Sequence, residues 1–208
     1  MKSDMAEPVS ISIVVPVYSG EDYLDRLVAE VGALRDRWAS QNAPMALSEL
    51  ILVDDSARDR SPEIVDRLAA AHDWIVPLHL SRNYGQHPGT IAGILYSAGS
   101  WVVTMDEDLQ HSPEKIPDLL ERAVMQSADV IYAQSIEKKH KNAFRDMSSV
   151  GIKRLTSWLT GSEHDLLFSS FRLIRGEVAR SVASVAIHDT YFDIELGFFT
   201  QRIEALPM

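Results

Sequence analysis

The sequence has no cysteine among its 208 residues. A disulfide scaffold, a thiolate zinc site and a cysteine nucleophile are therefore excluded. It also has no apolar run that approaches the roughly 20 residues of a membrane-spanning helix. The first residues, MKSDMAEP, have no apolar core and do not resemble a signal peptide. We expect a cytoplasmic globular chain.

Two glycine-rich phosphate-binding motifs are missing as well. The sequence contains neither G-x-G-x-x-G nor G-x-x-x-x-G-K-[ST]. A dinucleotide-binding Rossmann site and a P-loop are therefore poorly supported. Without such a loop, a bound metal ion is the natural means of holding phosphate groups.

The sequence has fewer basic than acidic residues. Lys and Arg total 20 against 30 Asp and Glu, which gives a formal charge of −10. An acidic surface repels a phosphate backbone, so we expect no nucleic-acid partner. One segment, residues 137–154, is instead rich in Lys and Arg. Its composition fits a solvated helix face. Its place after the fifth predicted strand instead fits a segment that covers the site, neutralises a diphosphate or contacts anionic lipid, and both interpretations stay open.

Apolar segments of two kinds alternate along the first part of the chain. Hydrophobic residues make up 46% of the sequence, which is typical of a folded protein. The patterns predict strands over residues 10–17, 50–53, 75–80, 101–105 and 129–133, with a helix between each pair. This alternation predicts an α/β fold with a mainly parallel, doubly wound sheet. We expect a tail over residues 1–9 and one domain over 10–208. After residue 136 the pattern is less regular and predicts only a strand near 169–174 and a helix from about 177.

Three acidic residues, Asp106, Glu107 and Asp108, directly follow the fourth predicted strand. Asp106 and Asp108 lie on the same side of an extended chain, so both can reach one ion. A hard divalent cation such as Mg²⁺ or Mn²⁺ would relieve their repulsion and could also hold a diphosphate. A solvated acidic turn explains the same residues, and this short pattern alone does not decide between the two.

Asp54 and Asp55 end the second predicted strand in the same way. In isolation they are typical of a side-chain-capped turn. The carboxyl ends of parallel strands share one edge of a sheet, so these acids should lie near Asp106 and Asp108. Converging carboxylates are unfavourable unless they bind something, which favours a ligand site.

Five motifs in this order resemble family 2 glycosyltransferases with the GT-A fold. They are SIVVPVY at 12–18, LVDDS at 52–56, LSRNYGQ at 80–86, MDEDLQ at 105–110 and SFRL at 170–173. The resemblance covers residues 10–175. It is strongest to the polyprenyl- and dolichyl-phosphate sugar transferases and to their bacterial surface-polysaccharide relatives. It implies a nucleotide-sugar-binding half over 10–135 and an acceptor-side half over 136–208.

The resemblance also implies roles for individual residues. The expected contacts to the nucleotide sugar come from Pro16, Val17, Tyr18, Glu21, Asp54, Asp55, Arg82, Gln86 and Asp106. The expected metal site consists of Asp106, Asp108 and Gln110. Asp106, Asp108 and Arg172 are the expected catalytic residues, with Arg172 facing the diphosphate or an acceptor phosphate.

The implied activity is an inverting, metal-dependent transfer from a nucleotide-diphospho-sugar to a polyprenyl phosphate at the inner face of the cell membrane. Ser170 stands where many such relatives have Asp, so no general base is assigned.

Transfer to a growing glycan or a soluble acceptor, and a non-catalytic nucleotide-sugar-binding module, remain alternatives. A nucleotidyltransferase would usually show a glycine-rich basic loop, which is absent. The sequence leaves self-association open. Since many relatives continue into membrane segments, either residue 208 precedes such a segment or a partner supplies the membrane contact.

Overall fold

The computed structural model describes residues 7–134, 169–186 and 191–208, and the basic segment 137–154 lies outside them. Seven strands form one sheet: β1 (Val9–Val17), β2 (Met45–Asp54), β3 (Ile75–His79), β4 (Trp101–Thr104), β5 (Val130–Gln134), β6 (Arg172–Arg175) and β7 (Ile203–Pro207). Their order is β3-β2-β1-β4-β6-β5-β7. Only β6 runs antiparallel to its neighbours, β4 and β5. The expected mainly parallel α/β sheet is confirmed.

Helices cover both faces of the sheet. They are α1 (Leu24–Ser40), α2 (Ser61–Ala71), α3 (Gln86–Tyr96), α4 (Ile116–Gln126), α5 (Gly176–Val185) and α6 (Phe192–Phe199). On β1, Ile13 and Val15 pack with the apolar residues of α1, α2 and α4, whereas Val14 packs with those of α3, α5 and α6. This alternation follows from the period of two along a strand. None of the helices in the described ranges combines the length and apolarity that a bilayer-spanning helix requires.

The boundaries differ from expectation where the apolar pattern is interrupted. β2 begins at Met45 instead of residue 50, because polar Ser48 and Glu49 hide its first half. Both side chains are satisfied by β1: Ser48 donates to the carbonyl of Ile11, and Glu49 accepts from the hydroxyl of Ser12. The sequence pattern does not predict β7, a strand of five residues that lies at the edge of the sheet next to β5 among the described strands.

Helix α3 lies unusually close to the sheet. A Cβ added at Gly93 would lie 2.3 Å from Cγ1 of Val14 and 2.9 Å from Cγ2 of Val53. One turn earlier, a Cβ at Gly89 would lie 3.3 Å from Cβ of Pro16. The absence of side chains at these glycines lets α3 approach the sheet, and this sets the position of Gln86 at its first turn.

We expect Gly93→Ala to lower the free energy of unfolding by about 1–3 kcal/mol, because the new methyl group overpacks the contact with β1 and β2. Gly32→Ala is the matched control, since its Cβ would lie at an ordinary 3.5 Å from the Trp74 ring. In the middle of α1 that substitution should stabilise the helix by up to about 1 kcal/mol. Urea unfolding compares the two variants, and equal stability would contradict the close packing of α3.

His79 ties the last residues of β3 and β2 to α2. Its Nδ1 lies 2.9 Å from Oδ2 of buried Asp54, and its Nε2 lies 3.0 Å from Oδ1 of Asp66. The hydrogen bond with Asp54 is the main cause that raises the pKa of His79. Partial burial opposes it, and Asp66 adds to the increase.

The raised pKa makes this interaction dependent on pH. Its stabilisation is complete below the unfolded-state value of about 6.5 and is lost as the pH rises through the higher folded-state pKa. We therefore expect His79→Gln to lower the free energy of unfolding more at pH 6 than at pH 8.5. Urea titrations across this range measure the difference, and Asp66→Asn should reduce the same pH dependence. A His79→Gln effect that is constant with pH would refute the assignment.

Candidate active site

A cleft of about 480 Å³ opens at the end of the sheet where β1, β2 and β4 have their carboxyl ends. The segments after these strands and the start of α3 supply its lining: Pro16, Val17, Tyr18, Ser19, Tyr23, Asp55, Asn83, Gly85, Gln86, Asp106, Glu107 and Asp108. Parallel sheets commonly bind ligands at this edge. The structure thus brings together at one cleft most of the residues expected to contact a nucleotide sugar.

The cleft is strongly acidic. Four of its lining residues are Asp or Glu, and no Lys or Arg of the described ranges lines it. Within the described lining, four acids and no Lys or Arg produce a negative potential that attracts positive ions. An anionic ligand such as a diphosphate would therefore need a cation to enter.

Asp55 is hydrogen-bonded to two of the segments that line the cleft. Its side chain is buried, and its two oxygens accept hydrogen bonds from the backbone N–H groups of Tyr84 and Gly85, each at 2.7 Å. Its own N–H donates to the carbonyl of Val17 at 2.8 Å. Asp55 therefore joins the end of β1 to the segment that begins α3.

Unlike Asp55, Asp54 does not line the cleft, and its carboxylate has other hydrogen-bond partners. Oδ1 accepts from the N–H of Ala57 at 2.8 Å, while Oδ2 bonds to His79. Because Asp54 is buried and lies outside the cleft lining, its expected contact with the nucleotide base stays a prediction.

Asp106 is held by donors from two distant segments. Gln86 Nε2 lies 2.5 Å from Oδ1, and the hydroxyl of Ser170 lies 2.5 Å from Oδ2. The carbonyl of Ser170 accepts in turn from the Thr104 hydroxyl on β4 at 2.7 Å. Asp106 is therefore oriented by α3 on one side and by the segment before β6 on the other.

Asp108 and Gln110 form a local turn. Leu109 has a φ of +58°, and this left-handed residue turns Gln110 back toward Asp108. The backbone N–H of Gln110 donates to Oδ1 at 3.1 Å, and Nε2 donates to Oδ2 at 2.7 Å. Gln110 is exposed and does not line the cleft. In this structure it therefore orients the Asp108 carboxylate by hydrogen bonds from outside the cleft.

The acidic residues fit a metal ion that is shared with a ligand. Within the described ranges, no group of three or more His, Cys, Asp or Glu side chains is arranged to hold a metal ion. Mg²⁺, however, is usually bound by one or two carboxylates together with waters and substrate phosphates. Asp106 and Asp108 line the cleft and supply two carboxylates of this type.

Glu107 has a role that sequence reasoning missed. Its Oε2 accepts from the N–H of Tyr18 at 3.1 Å and its Oε1 from the N–H of Ser19 at 3.0 Å. Burial is the main cause that raises the pKa of Glu107, and the two backbone bonds act against it. Its place between two expected metal ligands was the only signal, and that signal did not point to Tyr18 and Ser19.

The loop after β1 is also attached on its other side, to the start of α2. Gly20 donates from its N–H to the Ser61 hydroxyl at 2.9 Å, and Glu21 donates from its N–H to Asp59 at 3.3 Å. The Glu21 carboxylate accepts from the N–H of Arg60 at 3.1 Å. Glu21 thus lies outside the cleft lining and joins two loops, and its expected contact with the base stays a prediction.

The two expected arginines do not line the cleft. Arg82 is exposed and its guanidinium lies 4.7 Å from the centre of the Tyr84 ring. Arg172 is buried on the α3, α5 and α6 side, where it is ion-paired with Asp193 and lies over the Phe192 ring at 5.2 Å. Their expected contacts with the donor or acceptor stay predictions.

Solved structures of similar shape have the same fold. The chain aligns with Staphylococcus aureus TarS 1-349 in complex with UDP-GlcNAc at a TM-score of 0.63 and 17% identity, over 95% of this chain and 56% of TarS 1-349. It aligns with glucosyl-3-phosphoglycerate synthase from Mycobacterium tuberculosis, in complex with Mn²⁺, UDP-glucose and phosphoglyceric acid, at a TM-score of 0.63 and 15% identity, over 96% and 69%. At this identity the likeness establishes the fold, and the expected GT-A architecture is confirmed.

Curated relatives are similar in sequence as well. The undecaprenyl-phosphate 4-deoxy-4-formamido-L-arabinose transferase of Edwardsiella ictaluri is 32% identical over 207 residues, which cover 99% of this chain and 61% of that protein. The enzyme of the same name from Aeromonas hydrophila is 33% identical over 193 residues, covering 92% and 57%. The chain therefore spans about three fifths of the length of these relatives.

The family assignment follows from the extent of the match. The family model described as Glycosyl transferase family 2 matches residues 12–182, which include the strands, loops and acids around the cleft. The motif order expected from the sequence is therefore confirmed over most of the chain. This chain belongs to glycosyl transferase family 2.

Proposed function

We propose that the chain is the catalytic part of an inverting, metal-dependent glycosyltransferase. It would move a sugar from a nucleotide-diphospho-sugar to a polyprenyl phosphate in the synthesis of a cell-envelope glycan. The observation on which this rests is that the loop after β1, Asp55, Asp106 and Asp108 line one and the same cleft. The names of the relatives, undecaprenyl-phosphate sugar transferases, support the acceptor.

The nucleoside would bind at the β1 side of the cleft. Tyr18 is 42% exposed there and can stack on a base, while Pro16 and Val17 provide apolar and backbone surface. The Asp55 carboxylate lies where it can accept a ribose hydroxyl while it keeps its bonds to Tyr84 and Gly85. These residues would set the position of the nucleotide relative to Asp106.

Asp106 and Asp108 would hold Mg²⁺ or Mn²⁺ together with the donor diphosphate. The Mn²⁺ and UDP-glucose complex of a neighbour with this fold supports that choice. When bound, such an ion stabilises the negative charge that develops on a leaving diphosphate. Gln86 and Ser170 would keep Asp106 in place, and Gln110 would do the same for Asp108.

The transfer would be a single in-line displacement. An oxygen of the acceptor phosphate attacks the anomeric carbon from the face opposite the leaving group, so configuration inverts. The bond to the acceptor oxygen forms as the bond to the diphosphate oxygen breaks, and the diphosphate takes the electron pair. A phosphate acceptor is already ionised near pH 7, so a neutral residue at Ser170 is compatible with the reaction.

A polyprenyl-phosphate acceptor would place the enzyme at the inner face of the cell membrane. The relatives' named lipid-phosphate acceptor is the support for this location. Transfer to a soluble acceptor or to a growing glycan uses the same donor site. A turnover assay with different acceptors therefore distinguishes these cases.

Metal-dependent donor binding is the first test of this proposal. Calorimetry with UDP, GDP and dTDP, with and without Mn²⁺, should reveal one nucleotide that binds more tightly with the metal. Asp108→Asn should weaken the metal-dependent binding by about tenfold or more, the scale of a lost charged contact. The matched control is Asp118→Asn, which removes an exposed partner of Lys115 on α4. Absence of metal-dependent nucleotide binding in the unaltered chain would refute the donor site.

Ser170 provides the second test. Ser170→Ala removes the hydroxyl that donates to Asp106, and we expect kcat/KM to fall about tenfold with a short polyprenyl phosphate as acceptor. Ser170→Thr, which keeps a hydroxyl, should retain most of the activity. An unchanged Ser170→Ala rate would contradict the role of this bond. Donor binding without turnover on any acceptor would instead favour the non-catalytic binding module.

A further inference from the structure

The segment that bears the two metal-binding acids also contacts the loop of the proposed base site. Glu107 stands between Asp106 and Asp108, but its carboxylate is directed to the backbone of the loop after β1. Each of its oxygens accepts one N–H, from Tyr18 at 3.1 Å and from Ser19 at 3.0 Å. Two bonds from one carboxylate to consecutive peptide groups fix both the position and the tilt of the loop.

This loop, residues 18–21, is therefore held at both ends. On the α2 side the ties are the bonds of Gly20 to Ser61 and of Glu21 to the 59–60 segment. On the cleft side the tie is Glu107. Bonds to a charged acceptor are stronger than neutral ones, so loss of this tie should allow the Tyr18 end of the loop to move.

Gly20 leaves the space that the Glu107 carboxylate occupies. A Cβ at this position would lie 2.6 Å from Oε2 of Glu107 and 3.0 Å from Cγ of Leu24. Any larger residue at position 20 would have to displace the carboxylate from Tyr18 and Ser19. The two residues are thus matched to one another across the loop.

We propose that Glu107 is a positioning residue for donor binding, which holds the nucleotide-base loop in register with the metal and diphosphate end of the cleft. The inference rests on the proposed donor site. It goes beyond that site because Glu107, which lies between the proposed metal ligands Asp106 and Asp108, would position the loop and would not bind the metal ion. Glu107 touches neither the metal nor the reacting atoms in this role. It determines how well Tyr18 and its neighbours are ordered to receive the base.

A positioning role predicts a particular kinetic pattern. Glu107→Gln keeps the size of the side chain, but its amide nitrogen faces an N–H and one of the two bonds is lost. We expect the Kd of the tightest-binding nucleotide among UDP, GDP and dTDP, measured with Mn²⁺, to rise about tenfold, as does the KM of the corresponding sugar donor. The kcat at saturating donor should remain within about twofold of the unaltered chain, because the groups at the reacting centre are unchanged.

The measurements use the full 208-residue chain, with circular dichroism and thermal melting to confirm that each variant folds. Glu114→Gln is the matched control, because Glu114 follows the same segment but pairs with Arg37 at the surface. Donor binding by this variant should equal that of the unaltered chain. Equal binding by Glu107→Gln overturns the proposal, and so does a fall in kcat with no change in KM.

A double-mutant cycle tests the contact with Gly20 directly. Gly20→Ala should weaken nucleotide binding in the unaltered background, because the methyl group displaces the carboxylate. In the Glu107→Ala background the same substitution should have a clearly smaller effect, which is the non-additivity expected of residues in contact. Additive effects overturn the proposal. If the unaltered chain binds no nucleotide, the proposed function itself fails, which is a different result from normal binding by Glu107→Gln.

Discussion

The structure depends on four carboxylates that parallel strands deliver to one edge of a sheet. Asp55 is held by backbone N–H groups at the start of α3. Glu107 is held by those of the loop after β1. Asp106 is held by the side chains of Gln86 and Ser170. These neutral donors orient the acids without cancelling their charge, so the cleft keeps a negative potential that would attract a cation.

The same acids divide into two groups by what surrounds them. The carboxylate oxygens of Asp55 and Glu107 accept hydrogen bonds from backbone N–H groups, and these bonds hold loops in place. Asp106 accepts from the side chains of Gln86 and Ser170, whereas Asp108 accepts from both the backbone N–H and the side chain of Gln110, and both acids line the cleft. The packing of α3 belongs to this arrangement, because the close approach at Gly93 places Gln86 within reach of Asp106. The core of the protein and the chemistry of the cleft are thus linked through one helix.

Local pattern predicted much of the fold, whereas contacts between distant segments were not readable. The alternation of apolar strands and amphipathic helices up to residue 134 depends on neighbouring residues and was confirmed. The insertion of β6 between β4 and β5 was not foreseen, because nothing in a four-residue strand specifies its partners. Motif matching identified the cleft acids, but it did not show that Asp54 is occupied by His79 or that Arg172 is buried with Asp193.

The antiparallel strand β6 has a consequence for biosynthesis. Ser170 and Asp106 are 64 positions apart along the polypeptide, yet they meet at the edge of the cleft. A nascent chain on the ribosome can therefore pair β1 to β4 early but lacks the hydroxyl that orients Asp106 until β6 has emerged and docked. Closing so long a connection is entropically unfavourable and slow compared with local pairing. The orientation of Asp106 is thus completed late in translation, after strands β1 to β4 can already have paired.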